Sequence, residues 1–147
     1  MSSVSVIIRC DGGAAIGMGH VSRCLALAGE WRDAHRGAVT FAMRDPSGAA
    51  AAVVASDGYD VEPLAADESS DYGEWLLELA TARAAAAVIV DVRDGLSRAS
   101  LDRIRNSGVL VVAIDDATER RLASDVVFYP PVPQIAEMDW TGFTGRR

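Results

Sequence analysis

Two kinds of apolar spacing alternate along the chain. Short β-branched runs read as strands, and stretches with apolar residues three and four apart read as helices. Val4–Arg9 is the first strand, and His20 to Ala34 is a helix whose apolar side is Leu25, Leu27, Ala28 and Trp31. Val39–Ala42 is a short second strand. Ala49–Ala55 is an Ala-rich helix closed by Asp57-Gly58, and Tyr59–Leu64 is a third strand that Pro63 places at an edge or near its end. An acidic loop of small residues, Ala65–Ser70, leads to a helix over Asp71–Ala85 with Trp75, Leu76, Leu79 and Ala80 as its buried stripe. Ala86–Asp91 is apolar on both faces and reads as a central strand. Ser97 caps a helix that runs through Ser107 and stops at Gly108. Val109–Ile114 and Val126–Tyr129 complete the series. Strands alternating with helices predict an α/β, Rossmann-like parallel sheet with helices on both faces.

Pro130-Pro131-Val132-Pro133 ends the regular pattern, and Gln134–Arg147 carries Trp140 and Phe143 without periodicity. The expectation is a lobe over 1–130 and a proline-led segment over 131–147. That segment is either a linker toward a second lobe or a frayed tail. A second lobe, or a second copy of the chain in a dimer, is the expected partner for the lobe's exposed apolar surface.

Composition narrows the possible chemistry. The chain has 147 residues, half of them hydrophobic, and a net charge of −7. That charge argues against a nucleic-acid backbone or an anionic membrane as partner. Every one of the 14 basic residues is arginine, which excludes Schiff-base chemistry and a P-loop lysine. Two cysteines, Cys10 and Cys24, are too few for a disulfide scaffold, and two buried free thiols are expected. The two histidines and two cysteines lack metal-ligand spacing, so no metal is expected. No basic region precedes an apolar run at the N-terminus, so the expected compartment is the cytoplasm.

The informative segment joins the first strand to the first helix: Arg9-Cys10-Asp11-Gly12-Gly13-Ala14-Ala15-Ile16-Gly17-Met18-Gly19-His20-Val21-Ser22-Arg23. In an open α/β sheet, ligands bind beyond the carboxyl ends of the strands, where this loop lies. Its glycines permit close backbone approach, and the following helix N-terminus favours an anion. Neither G-x-G-x-x-G nor the Gly-Lys-Ser/Thr ending of a P-loop is present, so the loop is neither a dinucleotide fingerprint nor a P-loop. His20 falls at the first helical turn, where the partial positive charge favours a neutral imidazole. It reads as a general base beside an anion site, or as a helix-capping or sheet-packing residue. His35, Arg120 and Arg121 read as surface residues, and Cys24 reads as a core thiol.

The run Arg9-x-Asp11, then Ile16-Gly17-x-Gly19-His20-x-x-Arg23-x-Leu25-x-Leu27-Ala28, resembles the N-terminal domain of the PseG-type UDP-sugar hydrolases. These act in pseudaminic acid biosynthesis and are often labelled spore coat polysaccharide biosynthesis proteins. Ile89-Val90-Asp91, Ile114-Asp115-Asp116 and Ala123–Val127 extend the likeness over about the first 130 residues. The resemblance implies the N-terminal lobe of a GT-B fold. It also implies hydrolysis of a UDP-linked diacetamido-trideoxy sugar, with His20 activating water and no metal or redox cofactor. Gly17, Met18 and Gly19 would lie along the sugar, and Asp11 would bind a hydroxyl or amide. Arg23 would orient a phosphate or hold the loop, or would form a salt bridge on a solvated face. Asp91 and Asp115, at strand ends, face substrate or cap the next element, and Asp116 reads as a cap.

Two departures stand out. Arg93 occupies the position where the family carries a tyrosine, and the nucleotide-binding lobe of GT-B proteins has no counterpart in these residues. The loop also resembles that of the UDP-N-acetylglucosamine transferase of peptidoglycan assembly. That family carries a proline soon after the histidine, where this chain has Val21-Ser22-Arg23. A glycosyltransferase lobe and a non-catalytic sugar-binding module are therefore the alternative readings.

Overall fold

A computed structural model describes residues 3–44, 47–64 and 71–147. Six strands, β1 (Ser5–Cys10), β2 (Ala38–Met43), β3 (Asp60–Pro63), β4 (Ala87–Asp91), β5 (Leu110–Ile114) and β6 (Val126–Phe128), form one sheet. Every pairing is parallel, and the order is β3-β2-β1-β4-β5-β6. Four helices connect them: α1 (Gly19–His35), α2 (Ala49–Ser56), α3 (Gly73–Ala82) and α4 (Arg98–Asn106). A 3-10 turn at Glu119–Ala123 links β5 to β6. This is the doubly wound, Rossmann-like arrangement, and its order reverses between β1 and β4. The acidic loop expected over 65–70 lies outside the described residues.

The alternation of side chains along β1 creates two cores. Ile7 faces one side with Val88, Val90, Leu76, Leu101, Ile104 and Val111, under α3 and α4. Ile8 and Cys10 face the other with Phe41, Met43, Val21, Cys24, Ala28 and Val54, under α1 and α2. A sheet covered on both faces needs apolar residues at successive positions, which is why Val6–Ile8 in β1 and Ala87–Val90 in β4 read as apolar runs. β3 is an edge strand, and Pro63 closes its register against Met43.

Some expectations give way to packing. The buried stripe of α1 is Val21, Cys24 and Ala28, while Leu27 is exposed. The helix is turned so that its first-turn residues meet the sheet. α3 begins at Gly73 because Asp71 accepts from the Gly73 amide at 2.8 Å and receives the Ser100 hydroxyl at 2.7 Å. It ends at Ala82, three residues before the expected end. Ala84 takes φ 46°, and the amides of Ala84 and Ala85 return to the carbonyls of Thr81 and Ala80. This is a Schellman ending with alanine where glycine is usual, so the sequence carries no marker for it. Ser97 caps α4 as expected, accepting from the Ser100 amide at 3.1 Å.

Arg120 and Arg121 correct the surface reading, because both are buried. The Arg120 guanidinium donates to Asp116 at 2.9 Å and to the carbonyls of Val92 at 2.8 Å and Leu96 at 3.3 Å. It ties the loop after β4 to the loop after β5. Asp116 also receives the amide and hydroxyl of Thr118, at 2.8 and 2.6 Å. His35 is exposed at the end of α1, as expected, and lies against the Trp31 ring with centroids 4.4 Å apart.

Residues 130–147 fold back on the sheet edge. The Val127 amide donates to the Arg146 carbonyl, and the Arg146 amide to the Asp125 carbonyl, each at 2.8 Å. Trp140 packs against Tyr129 and Phe143, with Arg121 and Arg147 over its ring at 5.2 and 4.8 Å. The segment has no helical or strand period because short turns and ring contacts hold it. Among the described residues, no helix is long and apolar enough to cross a membrane.

Removing the Arg120 side chain leaves the Asp116 carboxylate buried without its cation. Arg120→Ala is expected to destabilise the fold by about 3–5 kcal/mol. Urea denaturation checks this, and a loss below about 1 kcal/mol would show that the bridge between the two loops is dispensable.

Candidate functional site

The reversal of strand order leaves a crevice beyond the C-terminal ends of β1 and β4. β1 leads into the glycine loop and α1, while β4 ends in Asp91, paired in register with Cys10. The loop is a small hairpin. Gly13 and Gly17 exchange two backbone hydrogen bonds of 3.1 and 2.7 Å, which leaves Ala14, Ala15 and Ile16 exposed at the tip. Gly17 has φ 77°, a left-handed conformation that costs a residue with a Cβ. Gly12 is closely packed, and a Cβ there would lie 2.5 Å from Val21 Cγ2. Met18 precedes α1 and makes no side-chain capping hydrogen bond. An uncapped helix N-terminus beside His20 is a favourable place for negative charge.

His20, Arg23, Asp91 and Asp115 come together here. His20 Nδ1 lies 2.7 Å from Asp91 Oδ1. Arg23 donates from Nε to Asp91 Oδ2 at 2.8 Å, and from its second terminal nitrogen to Oδ1 at 2.6 Å. Its remaining nitrogen lies 3.8 Å from Asp115 Oδ2. Asp91 is only 1% exposed, whereas the Asp115 side chain is 49% exposed. Asp115 also holds φ 52°, a left-handed conformation at the end of β5 that aspartate tolerates better than most residues.

The electrostatics follow from this geometry. Burial by itself raises the Asp91 pKa. The hydrogen bonds from Arg23 and His20 outweigh that effect and hold the carboxyl below its ordinary value. The same Asp91 contact, against partial burial, raises Arg23. Cys24 donates to Asp91 Oδ2 at 3.5 Å, and both cysteines are buried and free. The neighbouring Cys10, then burial, then Asp91 push the Cys24 thiol upward, so it stays protonated and inert.

Asp11 belongs to a different cluster. Its carboxylate takes both terminal nitrogens of the fully buried Arg9, the second at 3.0 Å, and the Arg44 amide at 2.7 Å. Arg44 extends this network to Asp94 at 2.7 Å and to the Tyr72 hydroxyl at 3.3 Å. Asp11 thus fastens the start of the glycine loop to the end of β2. Arg9 gave one signal for this in the sequence, as a charge inside an apolar strand two residues before a carboxylate. Arg93 is exposed on the loop after β4, where its carbonyl accepts from Arg120 at 3.4 Å. Among the described residues, no cluster of His, Cys, Asp and Glu is placed to hold a metal ion.

The site can hold a neutral or anionic group against first-turn amides, with an imidazole and a half-exposed carboxylate beside it. The lowered Asp91 pKa also has a consequence for stability. Its contribution is fully present above the ordinary aspartate value of about 3.9 and is lost as pH falls through its lower folded value. Asp91→Asn is expected to flatten the acid limb of a plot of urea midpoint against pH. A limb of unchanged slope would contradict the assignment.

No protein-family model matches the chain, and no curated protein matches it at a significant level.

Proposed function

We propose that this chain is the sugar-side lobe of a nucleotide-sugar hydrolase of the PseG type, with His20 as general base. The observation that carries this reading is the His20 imidazole at the β1/β4 crevice. It sits beside an open glycine loop and is held by the buried Asp91 carboxylate 2.7 Å away. The motif resemblance supplies the substrate class, a UDP-linked diacetamido-trideoxy sugar.

In this mechanism His20 takes a proton from a water as the water oxygen attacks the anomeric carbon. The anomeric C–O bond breaks, its electron pair leaves with UDP, and direct attack inverts the configuration. Gly17, Met18 and Gly19 give the sugar a close backbone wall. Asp115 accepts from a sugar hydroxyl or an acetamido N–H. Arg93 meets the sugar with a cation where the family presents a phenol, so the sugar preference is expected to differ. The nucleotide half of the cleft is assigned to a second lobe, as in GT-B proteins.

General-base catalysis contributes roughly 10²–10⁴-fold, so His20→Ala is expected to lose that much UDP release. The assay is UDP release from a UDP-linked 2,4-diacetamido-trideoxy sugar by wild type and variant. Equal behaviour of the two, including no release from either, would contradict the proposal.

A further inference from the structure

We infer that Asp91 touches no substrate and is instead a positioning residue. It fixes His20 as the tautomer with its proton on Nδ1 and an open lone pair on Nε2, and Arg23 acts as the clamp that keeps Asp91 in place. The catalytic consequence rests on the proposed hydrolase reading, whereas the tautomer itself does not.

The acceptor count carries the argument. An ionised carboxylate offers about four lone-pair sites and no donor. Oδ1 faces His20 Nδ1 at 2.7 Å and an Arg23 terminal nitrogen at 2.6 Å. Oδ2 faces Arg23 Nε at 2.8 Å and the Cys24 thiol at 3.5 Å. Four donors occupy four sites on a side chain that is 1% exposed, so no oxygen remains for a ligand. An arginine this close keeps the carboxylate ionised. An ionised carboxylate cannot donate, so the hydrogen shared with His20 belongs to the imidazole Nδ1. The 3.4 Å approach of Arg23 to the same ring nitrogen then brings two donors together and is not itself a hydrogen bond. Both donors are there because each binds Asp91.

The arrangement also restrains motion. Arg23 grips Asp91 side-on through two nitrogens, a geometry that resists rotation of the carboxylate. Its third nitrogen faces Asp115, so the clamp spans the ends of β4 and β5. Among the described residues, the charged groups at the His20 ring are Asp91 and Arg23, with Cys24 bound to Asp91 and Asp115 beside Arg23. When the ring takes a proton, Asp91 already lies at hydrogen-bond distance to stabilise the imidazolium. The same division of labour is the general rule for a base oriented by a buried carboxylate, where replacing that carboxylate costs up to about 10⁴-fold in turnover.

The test reads the tautomer directly, from long-range ¹H–¹⁵N correlations of the His20 ring at a pH where it is neutral. His35 is the other histidine and is exposed at the end of α1, so His35→Gln leaves a single imidazole signal. The expected spectrum shows a protonated Nδ1 and a bare Nε2. A protonated Nε2, or an averaged mixture, in the protein with Asp91 intact would overturn the inference, and this needs no change at the site. Asp91→Ala is expected to move the proton to Nε2, the form that a free histidine side chain favours. A folded Asp91→Ala protein that keeps Nδ1–H would also overturn it. Where UDP release is measurable, Asp91→Ala lowers kcat and leaves KM within about threefold. A correct tautomer without UDP release would count against the hydrolase reading alone.

Discussion

A carboxylate shut away from water at the end of a central strand has to be met by donors, and Asp91 imposes that requirement on everything around it. The unpaired charge would cost several kcal/mol in the interior. Arg23 and His20 supply the donors from the first two turns of α1. That demand fixes the rotation of α1 against the sheet, because both residues must reach the same carboxylate. It also explains why Val21, Cys24 and Ala28, rather than Leu27, face the core. The glycine hairpin is the connection that lets β1 turn into a helix so placed.

The strand ends on either side are secured by the same device. Beyond β1, Asp11 receives buried Arg9, and beyond β5, Asp116 receives buried Arg120. In each case an arginine within four residues of its carboxylate also reaches main-chain carbonyls of a neighbouring segment, Ala42 in one and Val92 and Leu96 in the other. With no lysine in the chain, the planar five-donor guanidinium makes all of these contacts, and it suits them better than an ammonium would. Three Arg–Asp units therefore line the C-terminal edge of the sheet. Asp115, which only approaches Arg23 at 3.8 Å, keeps a carboxylate turned partly to solvent.

The sheet was legible because its central strands are mostly apolar on both faces and its turns carry glycine, proline or a capping serine. The end of α3 was not, since an alanine fills the left-handed position that glycine usually marks. The folded-back segment after Pro130 escapes a periodicity argument because main-chain pairing with β6 and stacked rings hold it. At the site, the glycine spacing and His20 were readable from position alone. The roles of Asp11 and Asp91 were not, because a carboxylate at a strand end looks the same whether it faces a ligand or an arginine. Arg120 and Arg121 misled for a related reason: composition cannot show that a charged pair is buried against its own carbonyls.

The most direct test of the account is to map a UDP-linked 2,4-diacetamido-trideoxy sugar onto the chain by amide and imidazole NMR shifts. Changes are expected to concentrate in Gly17–Arg23, Arg93 and Asp115, with the ring signals of His20 among the largest. Changes centred elsewhere, or none at saturating sugar, would contradict the claim that the crevice between β1 and β4 is the working site.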